Sequence, residues 1–156
     1  GFGGASLSHF EEFKETFRYD GRKGEVSKEL EKVIMKTITG FLNAEGGTLI
    51  IGVSDDGKVK GLENDYKTLP KKNKDGFENH INMLVKNMIG LAFSKYIKVD
   101  FEIIDEKEIC IITVSSGHKP AYVLNTDNKE DFYVRVGNTT QPFSMSEASE
   151  YIKTHW

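Results

Sequence analysis

Two acids and a lysine are the side chains of this sequence best suited to chemistry on a phosphate. Glu12 and Lys14 stand two positions apart in EEFKETF, so both would point to the same face of a β-strand. Asp55 follows the apolar run TLIIGVS, at the end of a predicted strand. Two carboxylates can hold one divalent ion, and an ammonium can offset charge that develops on a phosphate. We therefore treat all three as candidate catalytic residues, and Glu12 and Asp55 as the candidate metal ligands.

Each of these residues also has a simpler interpretation. Glu12 and Lys14 could form an ordinary ion pair on a solvated strand, which is common on exposed faces. Asp55 could be a turn residue, because the next two positions, Asp56 and Gly57, are a strong signal for a tight hairpin. The residue types alone leave both interpretations open.

Positively charged side chains in four segments are candidates for binding nucleic acid. The segment KTLPKKNK, residues 67–74, is the densest in lysine, and Arg135 lies beside the hydroxyl-rich stretch GNTT. Cations in such places bind phosphates. The candidate nucleic-acid-binding residues are Lys14, Lys67, Lys71, Lys72, Lys74, Lys119 and Arg135. A solvated loop explains the lysines equally well, and Arg135 could instead pair with an acid at a sheet edge.

Composition limits the classes of protein and site that the chain can represent. The chain has 156 residues and a formal net charge of −3, so any basic surface must be local. The single cysteine, Cys110, lies in an apolar run and excludes internal disulfides and the usual cysteine-rich zinc sites. No apolar run approaches the ~18 residues of a membrane span, and GFGGAS does not resemble a signal peptide. We therefore expect a cytoplasmic domain without membrane contact.

Hydrophobic periodicity and turn residues predict a mixed β-sheet with about three helices, an α+β or α/β fold. Residues 1–9 are expected to be an added or flexible N-terminal segment, and residues 10–156 the domain, taken from a longer protein. The predicted elements are a strand in 11–19, a helix from Ser27 to Leu42, strands 48–53 and 58–62, a mobile loop 63–74, a helix opened by Asp75 and Glu78, strands 98–104, 107–114, 119–125 and 131–137, and a last helix opened by a capping box of Ser144 and Glu147.

Four segments, in this order, resemble the Schlafen-type AlbA-like domain, which is labelled a DNA-binding domain in bacterial regulators. They are EEFKETF, ITGFLNAEGGTLIIGVSDDGKVKGL, KPAYV and FYVRVGNTTQP, and the resemblance runs from about Glu12 to about Ile152. It implies a nucleic-acid-binding α/β fold. In animal Schlafen proteins two such domains in tandem form a clamp that cleaves tRNA and other structured RNA at a metal-dependent site of three acids.

The resemblance assigns roles to particular residues of this chain. Glu12 matches the second acid, Lys14 the lysine of the motif and Asp55 the third acid, whereas the position of the first acid is Leu7. The implied cofactor is Mg²⁺ or Mn²⁺, with no zinc site evident. The resemblance also matches Asn43 to the asparagine that the family carries before its glycine pair.

Two functions follow from these assignments. The first is a nucleic-acid-binding domain, RNA-directed rather than DNA-directed, which could be a metal-dependent endoribonuclease. The second is a non-catalytic, dimerising interaction or sensor module of a transcriptional regulator or defence protein. Glu12 and Asp55 favour the first, while Leu7 and the negative net charge favour the second. A homodimer is expected because one copy supplies half of the tandem clamp, and other domains of the longer parent protein are expected partners.

Overall fold

Residues 11–156 are described by the computed structural model, so the predictions for residues 1–9, including Leu7, lie outside the described residues. The strands are β1 (Glu11–Lys14), β2 (Tyr19–Asp20), β3 (Glu25–Val26), β4 (Gly47–Ile51), β5 (Ile97–Ile104), β6 (Lys107–Val114), β7 (Val123–Leu124), β8 (Glu130–Val136) and β9 (Thr139–Phe143). The helices are α1 (Lys28–Leu42), α2 (Glu63–Tyr66), α3 (Lys74–Met88) and α4 (Met145–His155), with a 3₁₀-helix at Leu91–Tyr96.

The main sheet has four strands in the order β1-β4-β6-β5. β1 runs parallel to β4, and the other neighbours are antiparallel. α1 connects the two parallel strands, as such a pair requires. Its apolar side chains, Ile34, Ile38 and Leu42, join Leu49 and Ile51 of β4 in the largest buried cluster. The mixed α+β architecture predicted from the sequence is therefore confirmed.

A second sheet, in the order β7-β8-β9, packs beside α1 and carries α4. α1 and β9 approach closely at Gly40, where a Cβ atom would lie 3.0 Å from the Thr140 side chain. α4 begins with the predicted capping box, in which the Ser144 hydroxyl accepts from the Glu147 amide and the Glu147 carboxylate accepts from the Ser144 amide. This close packing brings the β8–β9 hairpin next to β1.

Asp65 explains why the predicted first strand, 11–19, is interrupted after Lys14. Its buried carboxylate accepts hydrogen bonds from the Thr16 hydroxyl at 2.9 Å and from the backbone amides of Phe17 at 3.0 Å, Arg18 at 2.9 Å and Tyr19 at 2.9 Å. Backbone amides that point at one carboxylate cannot continue a sheet ladder. The prediction of one continuous strand is therefore wrong, and Tyr19–Asp20 pairs instead with Glu25–Val26.

The segment 63–74, predicted as a mobile loop, is anchored. It contains α2, and three of its side chains are buried: Asp65, Tyr66 and Leu69. The helix that follows is capped by Asn73, whose side chain accepts from the Gly76 amide, rather than by Asp75 and Glu78. Since Asn73 lies one position before the first helical residue, it reaches the free amides that Asp75, already within the helix, cannot.

Two further differences concern short elements. The predicted strand 58–62 is reduced to one bridge between Val53 and Val59. The sequence did not predict β9 or the 3₁₀-helix Leu91–Tyr96, whereas β6 lies at the predicted positions, 107–114, and β5 begins one residue early. Within residues 11–156 no helix is both long and apolar enough to cross a membrane.

Candidate functional site

β1 places Glu12 and Lys14 on the face of the main sheet that α1 covers. The intervening Phe13 points to the opposite face, where it is 1% exposed in a separate cluster with Ile50 and Val53. Alternation along the strand thus separates the apolar side chain from the two polar ones. Glu12 and Lys14 consequently line one cleft.

We call this cleft, of about 250 Å³, the β1–β9 cleft. It lies between β1, α1 and the hairpin of β8 and β9. Its lining residues are Glu12, Lys14, Val33, Lys36, Thr37, Tyr133, Asn138, Thr139 and Thr140. Most of them are polar, and a cleft of this size suits a phosphate group better than a complete drug-sized ligand.

Three hydrogen-bond donors in the β1–β9 cleft are available to a ligand. The ion pairs formed within residues 11–156 include neither Lys14 nor Lys36, and the Asn138 side-chain amide has no hydrogen bond to this part of the chain. The Lys36 ammonium lies 5.5 Å from the ring centroid of Tyr133, so a cation–π contact positions it at the cleft. Two ammonium groups and an amide are donors suited to an anion.

Glu12 is the acid of this cleft, and its charge is balanced by Arg135. Nη1 of Arg135 lies 3.1 Å from Oε1 of Glu12, and the two side chains are 3% and 18% exposed, respectively. The pair joins β8 to β1 at the floor of the cleft. The cleft therefore presents a net positive charge from Lys14 and Lys36.

Arg135 has further contacts that hold its guanidinium in place. Nη2 donates to the Glu11 carbonyl at 3.0 Å, Nη1 lies 3.4 Å from the Thr140 hydroxyl, and Cζ lies 5.0 Å above the Phe41 ring. Arg135 also lines a second cleft, of about 240 Å³, with Glu45, Gly46, Tyr151 and others. Burial raises the pKa of the Tyr151 phenol, whose hydroxyl donates to the Asn43 carbonyl at 2.5 Å.

Asp55 lies apart from the β1–β9 cleft. It is exposed and lines a smaller cleft, of about 200 Å³, with Lys14 and Glu15. Lys14 lines both clefts, so it is the residue that the two candidate acids share. The neighbouring Asp56 has the predicted turn role: it accepts hydrogen bonds from the Ser54 hydroxyl and the Lys58 amide, and these bonds lower the pKa of its carboxyl.

The described residues do not fit the three-acid metal centre that the resemblance implies. No group of three or more His, Cys, Asp or Glu side chains within residues 11–156 is placed to hold a metal ion. One oxygen of Glu12 is already bonded to Arg135, and Glu12 and Asp55 line different clefts. A carboxylate that is already paired with an arginine binds a metal cation more weakly, because its charge is partly neutralised. A site for Mg²⁺ or Mn²⁺ formed by Glu12 and Asp55 stays a prediction.

The predicted lysines of segment 67–74 are exposed and lie outside the β1–β9 cleft. Lys71 lies 3.7 Å from Asp75, and the Lys72 ammonium donates to the carbonyls of Lys67 and Leu69 at the end of α2. Lys74 is the first residue of α3. These side chains form a separate basic surface, whose contact with nucleic acid stays a prediction.

Lys119, the remaining candidate, is exposed beside the 3₁₀-helix. Its ammonium lies 5.4 Å from the ring centroid of Phe93, and the adjacent His118 packs against Tyr96 at 5.5 Å between ring centroids. Lys119 lines neither of the clefts that contain Lys14. The structure thus brings Glu12, Lys14 and Arg135 together and leaves Asp55 at a neighbouring cleft.

Comparison with protein families identifies the domain. The family model described as Schlafen, AlbA_2 matches residues 8–144, most of the chain. The chain belongs to this Schlafen family. The resemblance inferred from EEFKETF and FYVRVGNTTQP is therefore confirmed, and the matched region contains Glu12, Lys14, Asp55 and Arg135.

Two solved structures share the fold of this Schlafen domain. The DIP2311 protein from Corynebacterium diphtheriae is 20% identical over 94% of this chain, with a TM-score of 0.61. The N-terminal domain of an ATP-dependent DNA helicase RecG-related protein from Nitrosomonas europaea is 21% identical over 89% of this chain, with a TM-score of 0.52. The Schlafen domain spans 24% of the DIP2311 chain and 86% of the second structure. At these identities the similarity establishes the fold alone.

The buried Asn43 of the Schlafen domain ties three elements together. Its side chain donates to the carbonyls of Ala121 at 2.8 Å and Tyr133 at 2.9 Å, and it accepts from the Ala121 amide at 2.8 Å. Tyr151 of α4 donates to its backbone carbonyl. The asparagine before the glycine pair therefore supports the second sheet.

Sequence reasoning missed Lys36, Tyr133 and Asn138. Lys36 lies on α1, where the sequence indicated only the apolar face of the helix. Lys36 and Tyr133 are 97 positions apart, and no local sequence pattern indicates that their side chains are in contact. Asn138 was noticed only as part of the turn beside Arg135, and its position next to β9 became apparent with the fold.

Proposed function

We propose that this Schlafen domain binds nucleic acid and holds a backbone phosphate in the β1–β9 cleft. The observation that carries the proposal is the convergence of Lys14 and Lys36, both without an acidic partner among residues 11–156, beside an acid that Arg135 neutralises. Lysine ammonium groups that are free of ion pairs bind phosphate and release counterions. Membership of the Schlafen AlbA_2 family supports the same ligand class.

We favour RNA over DNA as the ligand. The reason is the likeness to animal Schlafen proteins, which act on tRNA and other structured RNA. The name of the RecG-related neighbour refers to a DNA helicase, and this name describes that protein alone. It makes duplex DNA the appropriate comparison ligand. Because phosphate contacts do not distinguish sequences, we expect recognition by backbone and shape.

Lys67, Lys71, Lys72 and Lys74 are proposed to add a second contact with the same ligand. Their exposure and their position on one connection, between α2 and α3, support a long-range electrostatic role. Lys71 and Lys72 already have partners, an acid and two carbonyls respectively. We therefore expect this surface to contribute less affinity than the β1–β9 cleft.

The test is a salt titration of binding to labelled tRNA and to duplex DNA of similar length. Lys14→Ala and Lys36→Ala should each weaken binding and reduce the slope of log K against log salt by about 1. Lys129→Ala is the matched control, since Lys129 is exposed next to β8 at the end opposite the cleft. Lys71→Ala with Lys72→Ala measures the second surface.

Equal affinities for Lys14→Ala, Lys36→Ala and Lys129→Ala would overturn the proposal. Tighter binding of duplex DNA than of tRNA would keep the cleft as the phosphate-binding site but would make DNA, rather than RNA, the favoured ligand. Metal-dependent cleavage stays a prediction, and binding as proposed requires no metal ion, since the donors are ammonium and amide groups.

A further inference from the structure

Among residues 11–156, the longest outer strand, β5, has an unpaired edge. β5 has eight residues, and within residues 11–156 it is hydrogen-bonded to β6 alone. The other outer strands are shorter or obstructed: Arg135 occupies the Glu11 carbonyl of β1, and β9 contains Pro142. An open edge of this length is a template for pairing with another strand.

A groove of about 810 Å³ runs between this edge and α3. Its floor includes Ile97 and Val99 of β5, which are only partly buried. Two exposed apolar side chains line it, Met83 at 45% and Leu91 at 66% exposure. The groove thus leaves apolar surface of the main core open to solvent beside an unpaired strand.

The side chains of β5 are complementary to a second, antiparallel copy of β5. Lys98 and Asp100 are exposed on one face, where they lie 3.8 Å apart within one chain, and Ile97, Val99 and Phe101 line the other. A two-fold axis through Val99 sets each Lys98 opposite the Asp100 of the other copy, and each Ile97 opposite its Phe101. Opposite charges and apolar pairs directly across a sheet are both stabilising.

We propose that two copies of this chain associate through β5, forming one continuous eight-stranded sheet. The neighbouring registers are less favourable. An axis at Asp100 sets each Lys98 opposite Glu102 but also sets the two Asp100 carboxylates against each other, and an axis at Phe101 sets Asp100 against Glu102. Like charges directly opposite each other are destabilising, so the charge pattern selects the register centred on Val99.

α3 carries a charge pattern that is complementary to itself about an axis near Asn82. Its groove-facing stripe contains Glu78, Asn82 and Lys86, spaced four residues apart. The two-fold axis makes the two copies of α3 antiparallel, and an axis near Asn82 sets each Glu78 toward the Lys86 of the other copy. A symmetric interface requires this kind of self-complementarity. The dimer goes beyond the proposed nucleic-acid binding and does not depend on it.

Charge reversal tests the register in solution. Sedimentation equilibrium at low salt should find a dimer for the parent. In Lys98→Asp, the new acid faces Asp100 of the other copy; in Asp100→Lys, the new lysine faces Lys98 of the other copy. Each variant alone should therefore have a dimer dissociation constant that is higher than the parent's by roughly ten-fold or more. An equimolar mixture of the two variants should associate again, because each heterodimer contact then joins an acid to a lysine. Lys129→Asp, a reversal outside β5, should dimerise like the parent.

Mixing separates the interface from effects within one chain, since each variant keeps its own internal defect. A parent that stays monomeric at high micromolar concentration would overturn the proposal, as would two variants that fail to associate when mixed. An Asp100→Lys variant that dimerises as well as the parent would reject the Val99 register. In the register centred on Asp100, this substitution only replaces two facing acids with two facing lysines, so dimerisation would change little.

Discussion

Arg135 and Glu12 form an ion pair that spans 123 positions of sequence, with 3.1 Å between Nη1 and Oε1. The arginine was expected to hold a phosphate, and the acid a metal ion. In the folded domain each is the partner of the other, and together they join β8 to β1. The charge of the β1–β9 cleft depends on this pairing, because an unbalanced Glu12 would offset one of the two lysines.

Removing one partner of this pair should destabilise the domain. Glu12→Ala leaves the 3%-exposed Arg135 side chain without its acid, which we expect to lower the free energy of unfolding by about 3 kcal/mol. The double variant Glu12→Ala with Arg135→Met should lose less than the sum of the two single losses. Urea denaturation measures all three variants. Additive losses would show that the two side chains act independently.

Asn43 and Asn138 should separate stability from binding. Asn43→Ala removes hydrogen bonds to Ala121 and Tyr133 in the interior, so we expect a loss of about 2 kcal/mol in the free energy of unfolding. Asn138→Ala removes an exposed amide from the β1–β9 cleft and should leave stability within about 0.5 kcal/mol of the parent while it weakens tRNA binding. Thermal denaturation and the binding titration together check the contrast. If Asn138→Ala instead lost stability and kept its affinity for tRNA, the binding site would have to lie outside the cleft.

Cleavage of RNA, if the domain performs it, should depend on Asp55. A tRNA pool incubated with and without millimolar Mn²⁺ and read on a denaturing gel should show at most slow, metal-dependent cutting. Asp55→Asn is the informative variant, because Asp55 is exposed and its removal spares the ion pair that Glu12→Gln would disturb. An Asp55→Asn variant that cuts as fast as the parent would place the activity elsewhere or in a contaminant.

Cys110 should make stability fall with pH in the alkaline range. The thiol is fully buried, and burial raises the pKa of Cys110 above its ordinary value of 9.0. Above pH 9 the unfolded chain loses this proton while the folded chain keeps it, so the free energy of unfolding decreases as pH rises, by about 1.4 kcal/mol per pH unit at most. Between pH 9 and 10 the effect belongs chiefly to Cys110, since the raised pKa values of Tyr66 and Tyr151 have their main effect above the phenols' ordinary value of 10.0.

Denaturation of Cys110→Ala across the same pH range checks the cause. This variant is expected to be less stable below pH 9, because a buried side chain is shortened, but its free energy of unfolding should decline less steeply above pH 9. Equal slopes for parent and variant would assign the pH dependence to other groups.

The sequence predicted those elements whose signals are local. β5 alternates between apolar and charged residues from Ile97 to Glu102 and β6 contains an apolar run, and the turn between them falls at Asp105 and Glu106, which both adopt positive φ. Ser144 and Glu147 satisfy each other three residues apart, so the capping box could be recognised without a fold. α2 and β9, of four and five residues, carry too little periodicity to be recognised.

The candidate site could be predicted only in part, because its residues come from distant segments. Glu12 and Lys14 were placed on one face by the alternation of a single strand. The partners that determine their chemistry, Arg135 and Lys36, come from β8 and α1. Asp65 likewise interrupts the predicted first strand by binding the amide of Phe17, 48 positions away, and nothing in its polar segment distinguishes this buried acid from a solvated one.

The parallel pairing of β1 with β4 implies an order of events during folding. A hairpin such as β5–β6 closes over a short turn, whereas β1 can reach β4 only after the intervening chain, including α1, has folded back on the sheet. β1 has four residues and lies at the edge of the sheet, so we expect it to dock late and to open before the rest of the domain. Native-state hydrogen exchange should then find the amides of β1 less protected than those of β6, and a ligand bound at Lys14 should slow that exchange by holding the strand in place.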